Sequence, residues 1–173
     1  LHLVLLAGII AALVAVLVTK LFMTPVYTST TKMYVLSKQD ANSAVTSSDL
    51  QAGSQLTKDY MELIKSRSVM EQVISQLQLD MSVDKLSGEI TVSNTADTRI
   101  LSISVENESP KLAKEIADAV RESASVQITQ ITDADAVNMV EEGNLPKDPT
   151  SPNTMKNAML GGILGIFLAL GAI

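Results

Sequence analysis

Two apolar stretches, Leu1–Met23 and Ala158–Ile173, constrain this chain more than anything between them. Only His2, Thr19 and Lys20 interrupt the first, and the second, AMLGGILGIFLALGAI, carries no charge. An α-helix rises about 1.5 Å per residue and a bilayer's hydrocarbon core is about 30 Å thick, so about 20 apolar residues cross it. Leu1–Met23 meets that length, whereas Ala158–Ile173 stops at 16 residues. A cleaved signal peptide would show a basic n-region, a shorter apolar run and a small-residue cleavage site. The first stretch shows no basic n-region and runs long, which favours an uncleaved anchor. The sequence begins inside one apolar run and ends inside another. It reads as a fragment whose missing flanks lie on one side of a bilayer, with the second span cut short. A polar middle between two greasy ends describes a domain held to a membrane by two anchors.

The polar middle, 24–157, holds all 19 acidic residues and 12 of the 13 basic ones, a net charge of −7. That balance argues against nucleic acid, which demands clustered positive charge. With no cysteine there is neither a disulfide framework nor a thiolate metal site. Tryptophan is absent and aromatics make up 3% of the chain, leaving few flat faces on which sugar rings stack.

Four segments follow: a first transmembrane helix over 1–23, a domain over 24–145, a Pro-rich segment over 146–157 and a second transmembrane helix over 158–173. Val26–Leu36 follows Pro25 and is rich in Thr, Tyr and Val, which predicts a strand. The polar stretch 37–48 predicts a loop, and Ser48-Asp49 signals a helix start. Leu56, Tyr60, Leu63 and Ile64 fall at helical spacing and predict a helix over about 50–65. Ser68-Val69-Met70-Glu71 fits a capping box and predicts a second helix over 69–79, burying Val73, Ile74 and Leu77. Ser82–Ser87 adds a further turn.

Glu89–Asn94, with Ile90 and Val92 on one face, pairs with a run alternating Leu101, Ile103 and Val105 with serines. That predicts a β-hairpin with Asp97, Thr98 and Arg99 near its tip. Ser109-Pro110 supplies the N-cap and first residue of the next helix. Its stripe is Leu112, Ile116, Val120, Ala124 and Ile128, widened by Ala113 and Ala117. Asp133-Ala134-Asp135 breaks that helix, and Ala136–Val140 predicts a last strand. The order β-α-β-β-α-β predicts an α+β, ferredoxin-like domain with its helices on one face of the sheet. Both anchors are then expected to leave from one edge of the domain.

Chemistry is sparse. His2, the only histidine, sits at the start of an apolar span, away from any partner. Asp133-Ala134-Asp135 superficially matches a divalent-cation motif, but it is better read as a helix-terminating turn. No phosphate loop, nucleophile elbow or zinc motif is present. No catalytic, cofactor-binding or metal residue is therefore assigned, and no cofactor is expected. Gly161 and Gly165 form G-x-x-x-G beside Gly162, a spacing that lets membrane helices pack closely. Pro146, Pro149 and Pro152 repeat at every third position and predict a stiff, extended coupling from domain to membrane, with Ser151-Pro152 capping and opening the second helix.

Several stretches together carry a family resemblance: Tyr27–Val35 (YTSTTKMYV), Asp49–Gly53 (DLQAG), Lys58–Tyr60 (KDY), Asp97–Ile100 (DTRI) and Pro149–Asn153 (PTSPN). With a Pro-rich segment leading into a Gly-rich second span, the chain resembles the polysaccharide co-polymerases, or chain-length determinant proteins, of the Gram-positive capsular branch. The resemblance covers nearly the whole chain. It departs from the Gram-negative relatives, whose long helical extension has no room between the two spans. What it implies is a non-enzymatic, two-pass plasma-membrane regulator with its central domain extracellular. Such a regulator forms a homo-oligomeric ring, stands beside a Wzy-type polymerase and its polysaccharide, and sets polymer length. The resemblance also implies a cytoplasmic tail after the second span that recruits a tyrosine autokinase. The charged residues of the first long helix, Asp59, Glu62, Lys65 and Arg67, with Arg99 on the hairpin, are the candidate subunit contacts. A membrane-tethered sensor of a small ligand and an enzyme of envelope glycan synthesis are the competing classes. A sensor should show a concave pocket with convergent polar groups, and an enzyme titratable residues grouped in a cleft.

Overall fold

A computed structural model describes residues 2–37, 47–95, 98–131 and 134–171. In chain order its elements are α1 (His2–Phe22), β1 (Tyr27–Ser37), α2 (Ser47–Ile64), α3 (Arg67–Leu77), α4 (Val83–Glu89), β2 (Ile90–Asn94), β3 (Ile100–Asn107), α5 (Pro110–Ile131), β4 (Ala134–Glu141) and α6 (Thr154–Gly171). They divide into a central unit, Tyr27–Lys147, and a unit made of Leu1–Val26 with Asp148–Ile173.

In the central unit the four strands form one sheet in the order β2-β3-β1-β4, and every neighbouring pair is antiparallel. The alternation read from the sequence fixes its two faces. Leu101, Ile103 and Val105 of β3, with Met33 and Val35 of β1, are buried and point to the helices. Directly opposite residues share a face, so Thr30 and Ser104 pair on the other side, their hydroxyls 2.8 Å apart. Between Lys32 and Met33 the β1–β4 register slips by one: Lys32 faces Glu141, while Met33 faces Met139. Val140 is thus an extra residue of the bulge kind.

Helix α5 closes the core. Ser109 caps it, its Oγ accepting the Leu112 N–H at 3.3 Å, and Pro110 takes the first helical position. Ala113, Ile116, Ala117, Val120, Ala124 and Ile128 are buried against the sheet and α3. Ala119 and Ser123 are buried too, so the covered stripe is wider than the apolar spacing predicts. Leu112, expected within the stripe, is only half-buried.

Several boundaries differ from expectation. The second helix of the first crossover begins at Arg67, which places Ser68 inside it, and the residue at the cap position, Ser66, makes no side-chain cap bond. The capping box is therefore absent. Glu71 instead takes a 2.7 Å bond from the Nε of Arg67, one turn earlier, because an i,i+4 cation offers a charged partner at the same reach. The extra turn predicted near Ser82–Ser87 is the helix α4, whose N–H at Lys85 is accepted by Ser82 Oγ at 3.3 Å. β4 is longer than Ala136–Val140, because its pairing with β1 reaches back to Ala134 opposite Ser37. Ala134 and Asp135 thus belong to a strand rather than a turn, and Asp133 lies outside the described residues, as does Asp97 of the hairpin tip. Two reverse-turn bonds close the hairpin, Thr95 N–H to the Ile100 carbonyl and Thr98 N–H to the Thr95 carbonyl.

Among the described residues, one non-glycine position carries a positive φ. Gln78 ends α3 in the left-handed region, at φ 51° and ψ 46°, where a side chain clashes with its own carbonyl and glycine does not. Gln78→Gly is expected to stabilise the central unit by about 0.5–1 kcal/mol, measured as a rise in its thermal midpoint. An unchanged or lower midpoint would mean that the Gln78 side chain makes compensating contacts.

In the other unit α1 and α6 pack side by side. Both are long and apolar enough to cross a membrane. Their outward residues are large and apolar, with Phe22 81% and Leu168 75% exposed. That is the inverse of a helix pair adapted to water, and it suits hydrocarbon, which asks of a helix only that its backbone be internally bonded. α6 starts at Thr154 rather than Ala158 and runs for 18 residues, about 27 Å. Its cap is Asn153, whose Oδ1 accepts the Lys156 N–H at 3.1 Å. Ser151 does not cap it, because its backbone is drawn into an extended bridge with Val26.

Candidate functional site

The Pro-rich segment is anchored at each end, once in each unit. In the central unit, β4 stops at Glu141 and the chain runs on as a strap along β1. Thr31 Oγ1 donates to the Glu141 carbonyl at 2.7 Å and Ser29 Oγ to the Asn144 carbonyl at 2.6 Å. The N–H of Thr30 reaches Asn144 Oδ1 at 2.8 Å. Asn144 thereby occupies the edge that β4 leaves open, and its two bonds satisfy backbone and side chain at once.

Asp118 of α5 secures the strap from the other side. Its Oδ1 accepts the Gly143 N–H at 2.8 Å, and its Oδ2 lies 2.8 Å from Lys114 Nζ, with Arg121 Nη2 at 3.7 Å. Partial burial alone would raise this carboxyl. The Lys114 hydrogen bond, the Gly143 N–H and the two positive charges outweigh it and hold the group below the usual carboxylate range. Gly143 is buried, and a Cβ there would sit 3.0 Å from Ser29 Oγ and 3.3 Å from the Asp118 carboxylate. A side chain here would press Ser29 and Asp118 apart by a few tenths of an ångström. Leu145 and Pro146 follow directly.

In the helix unit the same segment is clasped to the end of α1. Val26 N–H donates to the Ser151 carbonyl and Thr150 N–H to the Val26 carbonyl, both at 2.8 Å. Pro149 and Pro152 flank this bridge. Beyond it, Asn157 Nδ2 donates to Thr19 Oγ1 at 3.1 Å, and Thr19 Oγ1 in turn donates to the Ala15 carbonyl at 2.7 Å. A polar contact between helices fixes their register more sharply than apolar packing does.

Further along, glycines set the distance between the helices. A Cβ on Gly161 would lie 2.6 Å from Ala15 Cβ, and one on Gly165 2.5 Å from Ala11 Cβ and 3.0 Å from the Ala7 carbonyl oxygen. Gly162 faces Ala12, and Gly8 of α1 would meet Ile166 at 2.7 Å.

The candidate subunit contacts are not gathered into one site. Asp59 and Glu62 are exposed on α2, Lys65 is exposed just after it and Arg67 is exposed at the start of α3, while Arg99 is half-buried just before β3. His2 is exposed at the start of α1. Among the described residues, no group of three or more His, Asp or Glu side chains is placed to hold a metal ion.

Sequence reasoning missed Asp118, Gly143, Asn144 and Asn157. The signals for them were faint: a Lys114/Asp118 pair one turn apart, a Gly-Asn step after a strand, and polar residues beside apolar runs.

The chain length determinant protein (Wzz) family matches residues 1–77. The capsular polysaccharide biosynthesis protein CpsC of Streptococcus agalactiae is 45% identical over 146 residues, covering 84% of this chain and 64% of that protein. This chain thus spans just under two thirds of that relative's length. CpsC of Streptococcus pneumoniae is 39% identical over 164 residues, covering 94% of this chain and 71% of that protein. The probable capsular polysaccharide biosynthesis protein YwqC of Bacillus subtilis is 28% identical over 151 residues, 86% of this chain and 61% of the relative. With apolar end helices around a mixed sheet-and-helix unit, and with identity of this order along most of its length, the chain belongs to the chain length determinant family, in its capsular polysaccharide biosynthesis branch.

Proposed function

We propose that this chain is a two-pass plasma-membrane regulator of capsular polysaccharide length, with its central unit outside the cell and no catalytic role of its own. On this reading α1 and α6 are the anchors. Several copies assemble into a ring beside a Wzy-type polymerase and the growing polysaccharide, and a cytoplasmic tyrosine autokinase is a further partner. Asp59, Glu62, Lys65, Arg67 and Arg99 are proposed subunit contacts. Gly161, Gly162 and Gly165 are the proposed packing face of α6. The central unit is read as ferredoxin-like, and its antiparallel strand order β2-β3-β1-β4 supports that reading.

The observation that carries the reading is the double anchoring of the Pro segment. Asn144 and Gly143 are bonded to β1 and α5, and Ser151, seven residues after Asn144, is bonded to the end of α1. A segment held at both ends and stiffened by Pro146, Pro149 and Pro152 passes a displacement of the domain to α6 instead of absorbing it. Replacing all three prolines by Ala removes backbone restriction without removing any hydrogen-bond donor. The central unit is expected to stay folded while the length distribution of the exported polymer shifts, as read on gels of capsule from cells carrying the triple variant. An unchanged distribution at normal protein abundance would refute coupling through this segment.

A further inference from the structure

Two lysines stand at one level of the helix unit, one on each helix. The 3.1 Å bond from Asn157 to Thr19 sets that level, and Lys156 and Lys20 are their neighbours in the chain. Both lysines are exposed, and among the described residues neither forms an ion pair. The unit's one acidic residue is Asp148, which pairs with neither. Lys156 lies in the first turn of α6, where the positive end of the helix dipole adds to its charge instead of offsetting it. Two uncompensated positive charges thus mark the end at which α1 stops and α6 begins.

Away from that end, an apolar groove of about 420 Å³ opens between the two helices. Gly8, Ala12 and Gly162 keep its floor low, while Ile9, Met159 and Ile163 stand along its sides. On α6 it extends from Ala158 to Ile166, about 12 Å along the axis. The lysines line up with its two sides. Lys156 precedes Met159 and Ile163 by three and seven residues, and Lys20 follows Ile9 by eleven. Each spacing is close to whole turns, so each lysine shares a helix face with the side it tops. A lysine stem on such a face runs over apolar surface and carries its ammonium toward the lipid head groups.

We propose that this groove holds one anionic phospholipid, with its phosphate between Lys20 and Lys156 and an acyl chain along the floor. The proposal rests on the reading of α1 and α6 as membrane anchors and gives that pair a ligand. Charge decides among the occupants. A zwitterionic lipid brings no net charge to offset two ammoniums. A helix of a second copy, inserted the same way round, brings its own Lys20 and Lys156 to the same depth, and like charges then face each other. Free phosphate matches the lysines but offers nothing to the groove. Because the site draws on both helices, the bound lipid also ties α6 to α1 where the Pro segment ends.

The test places the full chain in nanodiscs of equal phosphatidylglycerol and phosphatidylcholine and counts the lipids it retains by native mass spectrometry. The wild-type chain is expected to retain phosphatidylglycerol in preference by at least about tenfold, the effect of two lysines at an anionic head group. Lys20→Gln with Lys156→Gln is expected to bring the ratio close to one. Met159→Ala with Ile163→Ala lowers one side of the groove and is expected to reduce retention of both lipids while keeping the preference. All four positions are exposed, and unchanged helix content by circular dichroism verifies that each variant is folded. A wild-type ratio near one, or a ratio the Gln pair leaves unaltered, overturns the lipid site and leaves the anchors standing. Retention that the Ala pair leaves unaltered, or phosphatidylglycerol displaced by soluble glycerol phosphate, overturns the role of the groove and with it the proposal. A wild-type chain that does not enter the discs overturns the anchor reading as well.

Discussion

Replacing Gly161 and Gly165 together by Ile should drive α1 and α6 apart. The cost does not lie in bulk alone. A Cβ at Gly165 already comes within 3.0 Å of the Ala7 carbonyl oxygen, and one at Gly161 within 3.2 Å of the Ala11 carbonyl oxygen. Those are backbone atoms, which cannot rotate away as the end of a side chain can. β-branched residues are also stiff at χ1, so no alternative rotamer relieves the clash. In lipid no hydrophobic force restores the pair, since the tails are as apolar as the side chains. The chain contains no cysteine, which makes the readout clean. A Cβ built at Gly162 lies 3.5 Å from Ala12 Cβ, within the separation a disulfide needs. Ala12→Cys with Gly162→Cys should crosslink efficiently within one chain in membranes. Adding the two Ile substitutions should cut the yield at least about tenfold. Undiminished crosslinking would show that the helices do not meet through this face.

The second large effect is expected at Asp118. Asp118→Ala deletes the acceptor for the Gly143 N–H and the partner of Lys114, and leaves both groups partly buried. Losing charge-assisted bonds of this kind costs about 1–3 kcal/mol. Because the side chain is 26% exposed, the lower half of that range is expected, about 3–8 °C in midpoint for a unit of this size. The release is local as well as global: amide exchange at Gly143 should accelerate while the buried strands β1 and β3 stay protected. Asp118→Asn keeps an oxygen for the Gly143 N–H but loses the charge, and should fall between wild type and Ala.

The pH dependence has a definite sign. The folded carboxyl titrates below its ordinary value, so its contribution is complete above the ordinary carboxylate pKa of about 3.9 and is lost as pH falls through the lower, folded value. The stability gap between wild type and the Asn variant should therefore be full at neutral pH and close in strong acid. A gap that persisted at about pH 2 would show that Asp118 acts by shape rather than charge.

Much of this molecule is written in short-range pattern. The alternation at Leu101, Ile103 and Val105 and the spacing of Ile116, Val120, Ala124 and Ile128 specify which face of β3 and α5 is buried. Any tertiary arrangement must respect those periods, because each follows from the geometry of one element. Ser109-Pro110 marks a helix start for the same reason: a cap bond spans three residues. The apolar ends are equally plain, since the length of an uncharged run is a property of the chain alone.

What pattern does not carry is which distant groups meet. Gly143 and Asp118 are separated by 25 positions, and Asn144 and Ser29 by 115. Nothing near Asn144 indicates that β4 will stop short and leave an edge of β1 for it to fill. The start of α6 is of this kind as well. Ser151-Pro152 resembles a cap by local rules, yet the bridge to Val26 claims Ser151 and moves the cap to Asn153. A spacing of G-x-x-x-G announces that α6 can be approached closely. That its partner is the face of α1 bearing Ala7, Ala11 and Ala15 follows from the packed pair alone. Local preference is worth a fraction of a kcal/mol per residue, and a long-range hydrogen bond or close helix contact that satisfies a buried group outweighs it. Where the two compete, as at Ser68, Ser151 and the start of β4, the folded arrangement prevails.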